Sequence, residues 1–135
     1  MSAANITNGL IELTSTGTSI KGQLIFTIGS LLKPGIGYTL NRMGTTYSLS
    51  INPLMTTLTS SGVFTANLQT FTIPDITKQI PIITSDGTTT TNTIGIFSST
   101  NSVITIYASI DGANFNIDTV NNQGWQNTIM INFSL

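Results

Sequence analysis

Apolar residues recur at every second position through most of this chain. Leu24, Phe26 and Ile28 alternate this way, as do Tyr47, Leu49 and Ile51, and Ile129, Ile131 and Phe133; Ile104 and Ile106 continue the pattern beside Val103. Thr, Ser and Asn fill the positions between. A period of two places one face of a strand in a core and the other in water. Ile, Thr, Phe, Tyr and Val dominate, and these residues fit a pleated surface. Good helix formers are scarce, and no sustained i, i+3, i+4 pattern is present. The alternation predicts strands near 9–14, 20–28, 36–42, 45–52, 62–73, 76–83, 92–98, 102–109, 113–119 and 127–135. Gly17, Lys33-Pro34-Gly35, Met43-Gly44, Ser61-Gly62, Asp86-Gly87, Asn101 and Asp111-Gly112 punctuate them. Several of these tolerate the positive φ of tight hairpins. Many short strands with regular turns indicate an all-β, antiparallel β-sandwich or jelly roll. A length of 135 residues fits one such domain over 1–135.

Charge is the second constraint. Hydrophobic residues form 39 % of the chain and charged residues 7 %, with a net charge of −1. An ordinary soluble domain is about a quarter charged. Here Thr, Ser and Asn supply over a third of the residues, so hydroxyls and amides hold the surface in water. Lys21, Lys33, Arg42 and Lys78 are the only strong cations and form no stripe. Nucleic-acid binding needs several cations to displace condensed counterions, so that class is set aside. No apolar run approaches the ~20 residues of a membrane-spanning helix, so membrane insertion is not expected. The start, MSAANITNG, lacks the basic and apolar regions of a classical signal peptide.

Most catalytic chemistry is missing. There is no His and no Cys, which removes Ser-His-Asp and Cys-His catalysis, histidine proton relay, disulfides and thiolate or imidazole metal sites. The carboxylates are Glu12, Asp75, Asp86, Asp111 and Asp118. A glycosidase needs two facing each other across a cleft, whereas Asp86 and Asp111 belong to Asp-Gly turns and Asp75 follows Pro74. The chain is therefore expected to be no enzyme and to need no cofactor. In Asp111–Asp118, Asn114, Asn116 and Asp118 alternate after Asp111, a spacing at which oxygen ligands can hold Ca²⁺. A hairpin with a polar outer face explains the same pattern. Lysines 21, 33 and 78 beside Glu12 and several Asn also suit an isopeptide bond of the adhesin kind, though ordinary surface lysines explain them equally. Asn5-Ile6-Thr7 and Asn132-Phe133-Ser134 match the glycosylation acceptor pattern, the second in an apolar strand expected to be inaccessible. Trp125, the only tryptophan, stands among Asn121, Asn122, Gln123, Gln126 and Asn127. It suits a sugar-stacking platform. It suits better a lid on the core or on a subunit interface. Trp125, Asn122, Asp111 and Asn114 are the candidate ligand-binding residues.

From about residue 73 onward the order of features is distinctive. Thr72-Ile73-Pro74 precedes Pro81-Ile82-Ile83. A polar loop leads to Thr93-Ile94-Gly95-Ile96-Phe97, and Ser98-Ser99-Thr100-Asn101 turns into Val103-Ile104-Thr105-Ile106-Tyr107. After Asp111-Gly112 come a further strand, Trp125 and the closing strand 128–135. This order resembles the C-terminal head, or knob, domains of trimeric bacteriophage and viral fibres, with relatives in large DNA viruses and virophages. The resemblance implies a compact jelly roll of the tumour-necrosis-factor type, a homotrimer, and attachment to a host-surface glycan or protein receptor from the surface of a virion. The long shaft that usually precedes such heads is not part of this sequence, which reads either as a head cut from a longer protein or as a small free-standing virion protein.

The apolar excess also argues for association. Ile80-Pro81-Ile82-Ile83 and Val103-Ile104 are apolar at consecutive positions, as in strands covered on both faces. A small sandwich covers only one face of each sheet, so a neighbouring subunit would supply the second cover. Ile82, Ile104, Ile106 and Phe133 are the expected trimer-interface residues. The sequence thus reads as a non-enzymatic, trimeric attachment domain. The alternatives are a capsid or decoration protein binding other virion proteins, or a bacterial adhesin or carbohydrate-binding module.

Overall fold

The structure is a computed structural model describing residues 4–7, 10–13, 18–68, 73–85 and 89–134. Twelve strands account for its regular structure: β1 (Ala4–Thr7), β2 (Leu10–Leu13), β3 (Thr18–Ile28), β4 (Leu31–Met43), β5 (Thr46–Ile51), β6 (Leu54–Leu58), β7 (Phe64–Asn67), β8 (Ile76–Ser85), β9 (Thr90–Thr100), β10 (Val103–Tyr107), β11 (Asp118–Trp125) and β12 (Ile129–Ser134). Eight form one antiparallel sheet in the order β12-β5-β4-β3-β7-β10-β9-β8. β6 and β11 form a second, two-stranded sheet, and β1 and β2 pair as a hairpin. The fold is all-β, a nearly closed barrel or sandwich.

The alternation read from the sequence sets the core. Leu24, Phe26 and Ile28 of β3, Tyr38 and Leu40 of β4, Tyr47, Leu49 and Ile51 of β5, and Ile129, Ile131 and Phe133 of β12 all point inward. Each fully buried side chain of this size contributes roughly 1.5–3 kcal/mol of transfer free energy. Tyr47 stacks on Phe133 with ring centroids 5.0 Å apart, and Arg42 lies 5.2 Å from the Tyr47 ring centroid. Phe26, Phe64, Phe115 and Trp125 make an edge-to-face aromatic cluster beneath the β6-β11 sheet, with centroids 5.0–5.5 Å apart.

The large sheet closes on itself through one backbone hydrogen bond and one side-chain amide. Its outer strands, β8 and β12, meet at the segment preceding β12. The Gln126 amide donates to the Ile83 carbonyl at 2.8 Å. The Asn127 side chain accepts from the Ile83 amide at 3.0 Å and donates to the Pro81 carbonyl at 3.0 Å. One carboxamide thereby stands in for a stretch of backbone partner along an edge that would otherwise be exposed.

Several elements depart from the expected strands. Lys33-Pro34-Gly35 does not end a strand; β4 runs through it as a bulge. Leu24 faces Ile36 whereas Phe26 faces Lys33, so β4 carries one residue more than β3 there. Gly35 takes φ 78°, and the proline falls where the ladder is already interrupted. Leu54–Leu58 forms β6, unforeseen after Pro53. The expected strand 62–73 shrinks to β7, with 69–72 outside the described residues. Within the expected strand 113–119, residues 113–117 form a loop with a single bridge, Gly62–Phe115, and β11 starts only at Asp118 and runs on through the Asn-rich stretch to Trp125. The turns at Gly17 and Asp86-Gly87 also fall outside the described residues. Asn101 and Ser102 form the β9-β10 turn with φ 51° and 65°, the paired positive values of a type I′ hairpin.

The expected interface residues need correction. Ile82, Ile104 and Ile106 are 0 % exposed and Phe133 is 4 % exposed within one chain. Their side chains belong to the chain's own core, so no neighbouring subunit can touch them. The consecutive apolar runs resolve into inward Ile80 and Ile82 beside exposed Pro81, and inward Ile104 beside half-buried Val103.

Candidate binding surface

The candidate ligand residues Asp111 and Asn114 lie in a loop at one end of the barrel. Thr18 of β3 faces Arg42, Arg42 faces Tyr47, and Tyr47 faces Phe133, so the start of β3 and the end of β12 share a row. β3 rises roughly 3.3 Å per residue away from that row. Its far end carries the Gly29-Ser30 turn, the segment 59–62 and the loop 108–117. Gly62 packs against Ile28, and Gly29 against Ser60.

The 108–117 loop is held by its own backbone and by one buried ring. The Ala108 amide donates to the Ala113 carbonyl at 2.9 Å, and the Gly112 amide to the Ser109 carbonyl at 3.0 Å. The Ser109 hydroxyl donates to the Asp111 carboxylate and accepts from the Ala113 amide at 3.2 Å. Phe115 exchanges two hydrogen bonds with Gly62, at 3.0 and 2.7 Å, and its ring packs edge-on to Phe64. The Ile117 amide donates to the Ser61 hydroxyl at 3.0 Å. What this fixed loop leaves in solvent is Ile110, Asp111, Asn114, Asn116 and Ile117, followed by Val120 at 83 % exposure.

Asp118 closes the segment. Its carboxylate accepts from the Asn121 amide at 2.7 Å, the Val120 amide at 3.0 Å and the Asn121 and Gln123 side chains. The two backbone donors favour the charged form and hold this carboxyl below the usual aspartate range. Those contacts account for the two aspartates of the alternating polar pattern: Asp111 serves one turn and Asp118 another. Among the described residues no cluster of three carboxylates exists to hold a metal ion.

Of the four residues expected at a ligand site, Asp111, Asn114 and Asn122 are exposed. Trp125 is not. It is 0 % exposed, packs edge-to-face on Phe26 at 5.5 Å and Phe64 at 5.4 Å, and its indole Nε1 donates to the Asn52 carbonyl at 3.0 Å. A sugar-stacking role is excluded, and the alternative reading as a core lid is the correct one. Asn132, expected to be inaccessible, is exposed on the outer side of β12. Two shallow depressions went unforeseen. One of about 260 Å³ is lined by Ile25, Thr27, Leu32, Thr65 and Asn67, beside the β4 bulge. The other, about 380 Å³, lies on the β8-β9 hairpin at Pro81–Ile83 and Asn92–Ile94. Neither combination of residues has a sequence signature, because each depends on strand register.

No protein-family model matches the sequence, and no curated protein matches it. Among solved structures, the chain is similar to a reovirus attachment protein, sigma1, crystallised in complex with alpha-2,3-sialyllactose. The match has a TM-score of 0.51 at 14 % identity and covers 98 % of this chain and 86 % of the other. The likeness spans the described fold from end to end, so this chain shares its fold with a viral attachment protein.

Proposed function

We propose that the chain is a non-enzymatic, homotrimeric attachment domain on the surface of a virion, contacting a host-surface glycan or protein receptor. The observation that carries this reading is the fold shared with sigma1 over 98 % of the chain. The lack of His and Cys, and the hydrogen bonds that tie Asp75, Asp111 and Asp118 into turns, agree with a binding role. The distribution of exposed groups agrees too. Both ends of the β3–β12 body leave from one end of the barrel, so a tether there would leave the 108–117 loop outermost. That loop offers aliphatic side chains ringed by Asn and Asp, the mixed surface of a protein or glycan contact. Three copies around an axis would repeat it three times and raise avidity.

The test is a glycan array and a cell-binding assay, run alongside light scattering. A trimer that binds cells, and loses binding with Asn114→Ala plus Ile117→Asp, supports the reading. A monomer that binds only other virion proteins would replace it with the decoration-protein alternative.

A further inference from the structure

The Asp111-Gly112 peptide bond stands in the exposed part of the 108–117 loop. An aspartate followed by glycine carries both parts of a cyclisation. The Gly112 amide nitrogen is the nucleophile and Cγ of Asp111 the electrophile, and joining them closes a five-membered ring. Glycine leaves that approach open because it has no side chain beside its own nitrogen. Gly112 takes φ 80°, and a Cβ there would meet nothing nearer than Tyr107 Cδ1 at 4.0 Å, so the surroundings do not crowd the site. Asp111 and Gly112 are both exposed, so water reaches the bond. The chain's other Asp-Gly pair, Asp86-Gly87, lies outside the described residues.

One residue holds both reacting groups. The Ser109 carbonyl accepts from the Gly112 amide at 3.0 Å, and the Ser109 hydroxyl donates to the Asp111 carboxylate. The same hydroxyl accepts from the Ala113 amide at 3.2 Å, and the Ala108 amide donates to the Ala113 carbonyl at 2.9 Å. The turn is therefore clamped on both sides of the bond. A carbonyl is too weak a base to take the amide proton, so the Gly112 nitrogen stays protonated while it is held there. Ring closure requires that N–H to leave its acceptor and the carboxyl group to swing away from the hydroxyl.

We propose that Asp111-Gly112 is a modification site that converts spontaneously to isoaspartate through a cyclic imide, and that Ser109 is the positioning residue that slows the conversion in the folded chain. In the first step the Cγ–N bond forms and a Cγ–O bond breaks, and the amide proton leaves with that oxygen as water. In the second step water adds to one of the two imide carbonyls. Addition at Cγ restores aspartate. Addition at the main-chain carbonyl of Asp111 leaves the chain running through Cβ and Cγ, with the free carboxylate on Cα. The net composition is unchanged, and water is the only other reactant. The product has one more backbone carbon before Gly112, so the turn that joins Gly112 to Ser109 loses its register. Ile110 and Asn114 flank that turn, and conversion would re-aim them both. The chemistry stands independently of the attachment reading.

The test follows the chymotryptic peptide 108–115, cut after Tyr107 and Phe115, which contains Asp111 and excludes Asp86. The protein is kept in mildly acidic buffer, and the isoaspartate form of that peptide is quantified over time by chromatography and mass spectrometry. The folded wild-type chain should convert about tenfold more slowly than the same chain in guanidinium chloride, where the turn is gone. Ser109→Ala, shown to be folded by circular dichroism, should convert about fivefold faster than wild type, the effect of losing one hydrogen bond. Ser109→Thr keeps a hydroxyl and should restore the slow rate. Asp111→Glu should give no such product, because its longer side chain would need a six-membered ring. The comparison of folded with unfolded wild type does not depend on how any variant folds. Equal rates in those two states overturn the restraint by the turn. Equal rates in folded Ser109→Ala and wild type overturn the role of Ser109. No isoaspartate at Asp111 in either state overturns the site itself.

Discussion

At the residue scale, the polar appearance of Trp125's neighbours concealed its role. In sequence it sits among five amides; in space it is the largest side chain of the core. Gly124 makes this possible. It takes φ 121°, and a Cβ there would lie 2.1 Å from the Leu54 carbonyl oxygen, so β11 can press onto β6 only without a side chain. Intrinsic fluorescence should therefore be blue-shifted in the native protein and move red on unfolding. Trp125→Ala should cost about 3–5 kcal/mol in urea denaturation. A native emission already at the solvent-exposed wavelength would contradict the burial. Ser99 shows the opposite misfit. It faces the core of β9 at 1 % exposure, and its hydroxyl has no hydrogen-bond partner among the described residues. Ser99→Ala should raise stability by about 1 kcal/mol, because a desolvated hydroxyl disappears and little volume is lost. The sequence reading placed Ser99 in the turn after the expected strand 92–98, so its inward parity in β9 was not visible there.

At the element scale, strands with strict alternation were legible and those without it were not. β5, β10 and β12 lie within two residues of their expected bounds because each has one buried face. β11 was missed because its outward residues, Asn121, Asn122 and Gln123, look like a loop, and only Gly124-Trp125 carries the inward signal. Only 36–42 of β4 was expected as strand, because a bulge and a break share the same Pro-Gly signature. The expected interface failed for a related reason: period two identifies the apolar face of a strand but not whether the chain itself covers that face. The closure at Asn127 was also invisible, since a side-chain amide binding a strand edge leaves no pattern in sequence. Its importance can be measured. Asn127→Ala should cost about 1–3 kcal/mol by stranding the Ile83 amide and the Pro81 carbonyl. It should also speed aggregation, followed by turbidity, as the β8 edge opens. Equal stability and equal solubility would mean that Gln126 alone closes the sheet.

At the scale of the whole molecule, stability should respond to acid and to little else. With no His and no Cys, no side chain titrates between about pH 6 and 8, and the melting temperature should be flat there. Asp118 is held below its unfolded value of about 3.9. Its contribution is therefore complete above that value and lost as pH falls through the lower folded value. Thermal melts from pH 7 to pH 2 should decline only at the acid end, and Asp118→Asn should shallow that decline. A break near neutrality would reveal a shifted group not placed by these contacts. The near absence of charge also leaves little for salt to screen. The closure of the sheet has a mechanical consequence. A flat sheet pulled at one side yields by peeling, one hydrogen bond after another. With β8 fastened at Pro81–Ile83 to the segment before β12, the two outermost strands are tied to each other at one place and cannot part there independently. A load entering beside β3 or β12 is then shared across several rungs before any of them parts. Under tension the barrel should hold and then give way abruptly, as a clasp does rather than a zip.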